Sequence, residues 1–97
     1  MASPRKIIVT GAAQGIGRAV ALRLAAPGVH VAVWDTQAQG AETTAQACRD
    51  VGAMARAWQV DVGDADQIEA AVAAFEREWG KPDAVLRWRE WGKPHAR

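Results

Sequence analysis

Alternation between strand and helix patterns constrains the fold of this chain more than any other feature of its sequence. Short apolar runs rich in β-branched residues predict strands at Lys6–Thr10, Val29–Trp34, Ala55–Val60 and Asp83–Leu86. Between them, apolar residues at spacings of three and four predict helices starting at Gly15, Ala38 and Asp64. Parallel neighbours in a sheet need long crossover connections, which helices supply, so the sequence predicts an α/β fold.

The predicted architecture is of the Rossmann type, with three layers built as βαβαβ around a parallel sheet. Right-handed crossovers place the first two helices on one face and set the strand order 3-2-1-4. The alternation fails after Leu86, so we expect the sheet to be truncated after its fourth strand. That strand would then be an exposed edge through which the chain could self-associate.

The periodicity also predicts which side of each helix is buried. The expected packing residues are Ile16, Ala19, Val20 and Leu24 in the first helix, and Ala41, Thr44, Ala45 and Cys48 in the second. In the third helix, Ile68, Val72 and Phe75 are expected to be only partly covered. Pro27-Gly28 is expected to end the first helix, and Asp64 with Gln67 to form a capping box that begins the third.

A glycine-rich segment, Thr10–Gly17, follows the first strand and opens the first helix. Gly11 allows a sharp turn out of the strand, and Gly15 allows the backbone to approach a pyrophosphate. Gly17 allows the helix to pack tightly against the strand. Free backbone N–H groups and the helix dipole favour anions at this helix start. The arrangement therefore predicts a dinucleotide site.

Two acidic residues close later strands. Asp35 ends the second strand, about twenty residues after the glycines, where a carboxylate accepts hydrogen bonds from the adenosine ribose. Its charge would repel a 2′-phosphate, and neither Thr36 nor Gln14 supplies a compensating cation, so we predict NAD rather than NADP. Asp61, followed by Val62, ends the third strand and could accept a hydrogen bond from the adenine amino group.

These motifs together resemble the short-chain dehydrogenase/reductase family. The resemblance covers Lys6–Leu86, and the cofactor-binding half of bacterial 3-oxoacyl-carrier-protein reductases and of sugar and alcohol dehydrogenases is similar to it. It implies pyrophosphate contacts at Gly11, Gln14, Ile16 and Gly17, with Thr10 and Gly15 in the same motif, a ribose contact at Asp35, and adenine contacts at Asp61 and Val62.

The chain departs from the family where catalysis would begin. Family members follow the fourth strand with Asn-Asn-Ala-Gly and carry a later Ser, a Tyr-x-x-x-Lys pair and a helix Asn. This chain has no tyrosine and no asparagine, and its only serine is Ser3, before the first strand. We therefore predict no catalytic residue and expect a cofactor-binding portion that is inactive alone. The alternative is a non-catalytic nucleotide-binding or regulatory module.

Composition bounds the remaining interpretations. The predicted cofactor domain is 1–86, and 87–97 is an irregular basic tail in which the block Arg77–Pro82 recurs as Arg89–Pro94. The net charge of +1 predicts no nucleic-acid partner, although the tail, with two tryptophans, leaves that alternative open. No apolar run is long enough for a signal peptide or a membrane span, so we expect a cytoplasmic protein. A lone cysteine excludes multi-cysteine metal sites.

Overall fold

The computed structural model describes residues 5–86, which form seven elements in the predicted alternation. The strands are β1 (Lys6–Thr10), β2 (His30–Asp35), β3 (Met54–Gln59) and β4 (Ala84–Leu86). The helices are α1 (Gly15–Leu24), α2 (Ala38–Asp50) and α3 (Ala65–Trp79). All strands run parallel in the order β3-β2-β1-β4, which confirms the predicted α/β fold. The predicted tail at 87–97 lies outside the described residues.

The helices cover the sheet from both sides. Alternate residues of β1 and β2 face α1 and α2, where Ile7, Val9, Val31 and Val33 pack with Ala21, Ala41, Ala45 and Cys48. The intervening residues face α3, where Ile8, Ala32 and Trp34 pack with Ala71 and Phe75. The three-layer arrangement and the packing face predicted for α2 are both confirmed. Within 5–86, no helix combines the length and apolar character needed to cross a membrane.

The packing face predicted for α1 is right at Leu24, which packs against the core, and wrong at Ile16 and Ala19. Ile16 is 54% exposed and Ala19 is also exposed, whereas Gly17 and Ala21 are buried. The helix touches the glycine turn through Gly17, and Leu22 and Leu24 are partly buried against the core. The helix also ends at Leu24 rather than at Pro27-Gly28, because Ala25 already has an extended backbone.

The α3 face is better covered than the sequence predicts. Ile68 and Val72 are half-buried, as expected, but Phe75 is fully buried. The Trp79 ring lies edge-on to Phe75 with centroids 5.2 Å apart, and the Trp58 ring adds a tilted contact at 6.4 Å. Trp79 also lies edge-on to His30. Aromatic rings from β2, β3 and α3 therefore close this layer around Phe75.

Candidate cofactor-binding site

A cleft of about 670 Å³ lies at the carboxyl edge of the sheet. The carboxyl ends of parallel strands meet at one edge, which is where open α/β sheets bind ligands. Ten residues line the cleft: Gly11, Gln14, Gly15, Ile16, Asp35, Thr36, Gln37, Val60, Asp61 and Val62. The structure thus brings together every predicted site residue except Thr10 and Gly17.

The turn after β1 depends on glycine in two different ways. Gly11 and Gly15 have φ values of 64° and 65°, in the left-handed region that side chains disfavour. Gly17 has no such requirement, but a Cβ placed there would lie 2.1 Å from the Gly11 carbonyl oxygen. Gly17 therefore acts from beneath the cleft by allowing α1 to touch the turn, rather than the strand as predicted.

Thr10 also lies outside the cleft. Its side chain is buried, and its hydroxyl donates a long hydrogen bond of 3.4 Å to the Leu86 carbonyl. This contact joins the end of β1 to the end of β4. Thr10 therefore supports the frame from which the glycine turn emerges.

The first backbone N–H groups of α1 have no side chain that caps them, unlike those of α3. Gln14 precedes α1 with an extended backbone, its side chain makes no capping hydrogen bond, and the first turn contains no acidic residue. At α3, the Asp64 carboxylate already accepts hydrogen bonds from the Asp66 and Gln67 N–H groups. Because the first N–H groups of a helix have no partner within it, the α1 terminus can receive an anion at the floor of the cleft.

Asp35 joins the glycine turn to the segment that leads into α2. Its Oδ2 accepts from the Ala13 N–H at 3.0 Å, and its Oδ1 accepts from the Gln37 N–H at 2.9 Å. Each carboxylate oxygen can accept more than one hydrogen bond, so both can still serve a ligand hydroxyl. Two backbone donors thus fix the carboxylate at the mouth of the cleft before any ligand arrives.

Asp61 and Val62 form the opposite wall. The Asp61 side chain is exposed, and its Oδ1 accepts from the Gly63 N–H at 2.8 Å. Val62 is 40% exposed and presents apolar surface at the same edge. No lysine or arginine is among the ten lining residues, so the cleft carries the negative charges of Asp35 and Asp61 without a basic side chain.

Sequence reasoning missed three lining residues: Thr36, Gln37 and Val60. All three adjoin a predicted acid or lie two positions from it. An aspartate commonly accepts from the backbone N–H two residues later, and this signal could have placed Gln37 beside Asp35. Val60 is the last residue of the predicted third strand, whereas the observed strand ends one residue earlier at Gln59.

Comparison with known proteins bears on this site. The family described as "short chain dehydrogenase" matches residues 5–87. Cyclohexanol dehydrogenase from Rhodococcus sp. (strain TK6) is 38% identical over 91 residues, covering 81% of this chain and 34% of the relative. The 2,3-dihydro-2,3-dihydroxybenzoate dehydrogenase of Bacillus subtilis (strain 168) is 40% identical over 78 residues, covering 80% of this chain and 30% of the relative.

Solved structures show the same likeness. A hydroxysteroid dehydrogenase from Escherichia coli superposes with a TM-score of 0.81 at 28% identity, covering 86% of this chain and 35% of that one. An NAD+-bound xylitol dehydrogenase gives a TM-score of 0.79 at 33% identity, covering 84% and 31% respectively. The chain spans about a third of the length of these proteins. Its sequence, sheet order and glycine turn place it in one family: the chain belongs to the short-chain dehydrogenases/reductases.

Proposed function

We propose that this chain binds NAD as the cofactor-binding portion of an NAD-dependent oxidoreductase acting on alcohol or ketone groups. One observation carries the proposal: the uncapped start of α1 and the fixed Asp35 carboxylate face the same cleft. An anion-binding helix terminus beside a hydroxyl-binding carboxylate is what an adenosine diphosphate group requires. The NAD+-bound xylitol dehydrogenase of similar fold supports the same ligand class.

Each part of the cleft then has one role toward the cofactor. The pyrophosphate lies on the turn and the α1 terminus, at Gly11, Gln14, Gly15 and Ile16, while Gly17 and Thr10 hold that turn from beneath. The ribose hydroxyls donate to Asp35, and the adenine lies between Asp61 and Val62. When bound, the nicotinamide supplies a hydride acceptor or donor.

Asp35 should also determine the choice between NAD and NADP. A carboxylate held by two backbone N–H groups cannot easily move away from a 2′-phosphate, and the lining residues include no cation to offset it. Calorimetric titration of the wild type should therefore give tighter binding of NAD than of NADP. Asp35→Asn should weaken NAD binding by about tenfold, because hydrogen bonds to a charged group are lost. Equal affinities in the wild type would contradict the proposed preference.

We further propose that these 97 residues bind the cofactor without turning it over. The sequence offers no tyrosine to exchange a proton with the substrate oxygen, and neither the Asn nor the later Ser of the family's catalytic set. Purified protein with NAD and a panel of secondary alcohols should produce no NADH, measured by absorbance. Formation of NADH above the buffer rate would overturn this part of the proposal.

The substrate class, including any relation to 3-oxoacyl carriers, stays a prediction, as do the cytoplasmic location and the absence of a nucleic-acid partner.

The β4 edge is the proposed surface for self-association. Within the described residues, β4 pairs only with β1, and its own Val85 is 48% exposed. An open strand edge with apolar side chains can pair with a second copy, whereas a charge on the edge discourages pairing. Sedimentation should therefore detect a dimer or larger species in the wild type, and Val85→Lys should shift it toward the monomer. A monomeric wild type at the highest soluble concentration would contradict the proposal.

A further inference from the structure

The turn between β3 and α3 is held by a small hydrogen-bond network centred on Gln67. Its Oε1 accepts from the Asp61 N–H at 2.9 Å, and its Nε2 donates to Asp64 Oδ2 at 3.2 Å. The turn closes on itself as well, because the Asp64 N–H donates to the Asp61 carbonyl at 2.9 Å. The sequence predicted Gln67 as half of a capping box, in which its side chain would reach the Asp64 N–H. It reaches three residues further back instead.

Because of this contact, Gln67 does not only support the start of α3 but also holds a residue of the cleft. Gln67 is not among the lining residues, but its partner Asp61 is. The Asp61 backbone is fixed on its N–H side by Gln67, and its Oδ1 is fixed by Gly63. Within 5–86, no hydrogen bond engages Asp61 Oδ2. An exposed aspartate that would otherwise sample several rotamers is therefore held with one oxygen available.

We propose that Gln67 is a positioning residue for adenine recognition, acting through Asp61. Holding the Asp61 backbone orders the carboxylate in advance, so less side-chain entropy is lost when it accepts a hydrogen bond from the 6-amino group. Preference for a 6-aminopurine over a purine without that group then depends on a residue that does not touch the ligand. The inference rests on the proposed function, because it requires the adenine to lie at Asp61.

The test compares NAD with nicotinamide purine dinucleotide, in which a hydrogen atom replaces the 6-amino group of the adenine. The wild type should bind NAD about tenfold more tightly, because one hydrogen bond to a charged acceptor contributes about that factor to the affinity. Gln67→Met keeps the length of the side chain and removes its acceptor, and should lower that ratio about threefold. Gln67→Glu keeps an oxygen to accept from the Asp61 N–H, and it is made with Asp64→Asn in every measurement so that an amide again donates between positions 64 and 67. This exchange leaves the net charge unchanged and should preserve the ratio.

The matched control is Gln39→Met, an exposed glutamine in the first turn of α2 that does not line the cleft. It should leave the ratio at the wild-type value. Amide hydrogen exchange at Asp61 should accelerate in Gln67→Met and stay slow in Gln67→Glu, which reports the lost contact independently of binding.

Four outcomes separate the two proposals. A reduced ratio in Gln67→Met that Gln67→Glu restores supports the positioning role. An unchanged ratio in Gln67→Met, or an equal loss of affinity for both ligands, overturns it while leaving NAD binding intact. A wild type that binds both ligands equally removes the Asp61 contact and this inference with it. A wild type that binds neither ligand contradicts the proposed function itself.

Discussion

The two faces of the sheet are closed by opposite means. On the α1–α2 face, the helices approach through small residues, and Ala21, Ala41 and Ala45 are completely buried. On the α3 face, large rings fill the space, with Phe75 surrounded by Trp58 and Trp79. The first face therefore brings backbones close together, whereas the second keeps them apart and fills the gap with side chains.

This difference determines how strongly each face controls the cleft. Gly17 of α1 lies against Gly11, and Gly40 of α2 lies against Ala13, so both helices press on the glycine turn. Neither contact can be relieved by a change of rotamer, because the opposing atoms are backbone atoms of Gly11 and the Cβ of Ala13. The α3 face contributes to stability, and its rings can repack without moving the turn. We therefore expect substitutions on the first face to change binding, and substitutions on the second to change stability alone.

Gly17→Ala should have the largest combined effect, because it should lower both stability and NAD binding. The added Cβ would lie 2.1 Å from the Gly11 carbonyl oxygen and 2.7 Å from its carbon, so the turn or the helix must shift. We expect a loss of about 3 kcal/mol or more in the free energy of unfolding, together with loss of measurable NAD binding. Urea unfolding and calorimetry measure the two effects separately. Retained NAD affinity in a folded variant would contradict the expected control of the turn by α1.

Gly15→Ala is the matched control for the stability part of that prediction. Gly15 has a φ of +65° but nothing within 4 Å of an added Cβ. It should therefore cost only the strain of a left-handed backbone, about 1–2 kcal/mol. A cost as large as that of Gly17→Ala would show that conformation, rather than close approach, governs this turn.

Phe75→Ala tests the other face. Removing a fully buried ring should lower the free energy of unfolding by about 3–5 kcal/mol, because a cavity is left beneath Trp58 and Trp79. Phe75→Leu is the milder variant if the alanine form does not fold. In either folded variant, the NAD affinity should equal that of the wild type. A weaker affinity in folded Phe75→Leu would break the comparison by linking α3 packing to the cleft.

Gly40→Ala should have an intermediate effect, and a second substitution at Ala13 should reverse it. Its Cβ would lie 2.8 Å from the Ala13 Cβ, which overpacks α2 against the turn by about 1–3 kcal/mol. Ala13→Gly removes that opposing atom and leaves only ordinary contacts, the nearest at 3.6 Å. The double variant should therefore bind NAD more tightly than Gly40→Ala alone. Strictly additive losses in the double-mutant cycle would show that the two residues do not interact.

Much of the fold could be predicted because it follows from local patterns. Alternating strands and helices dictate a parallel sheet, and right-handed crossovers then dictate its order. The positions of Asp35 and Asp61 at strand ends bring both to one edge. Seven of the nine predicted site residues therefore line one cleft.

The remainder depends on contacts between segments distant in the sequence. The α1 face differs from the prediction at Ile16 because hydrophobicity favours that residue, whereas the tight approach to Gly11 requires Gly17 at the interface. No pattern in the sequence indicates a role for Gly40, because that role depends on contact with Ala13, in the turn between β1 and α1. The coverage of Phe75 was underestimated because the Trp58 ring, from β3, reaches it across the sheet.

Asp83 carries the smallest expected effect and extends the comparison to the β4 edge, which neither face controls. Its Oδ2 accepts from the Arg5 N–H at 3.0 Å and the Lys6 N–H at 2.9 Å, and these two hydrogen bonds lower the pKa of Asp83 below its ordinary value. A lowered carboxyl pKa in the folded state stabilises the fold above the unfolded pKa of about 3.9. The contribution is lost as the pH falls through the folded pKa.

Asp83→Asn isolates this contribution, because the amide oxygen can still accept from both N–H groups but carries no charge. Urea midpoints of the wild type and Asp83→Asn should differ slightly at neutral pH, with the wild type more stable. The two should converge as the pH falls through the lowered pKa of Asp83 in the folded state, below which both side chains are neutral. Affinity for NAD should be equal in the two proteins throughout, because Asp83 joins β4 to β1 at the end of the sheet opposite the cleft. A difference in midpoint that does not change with pH would mean that shape, and not charge, holds this edge.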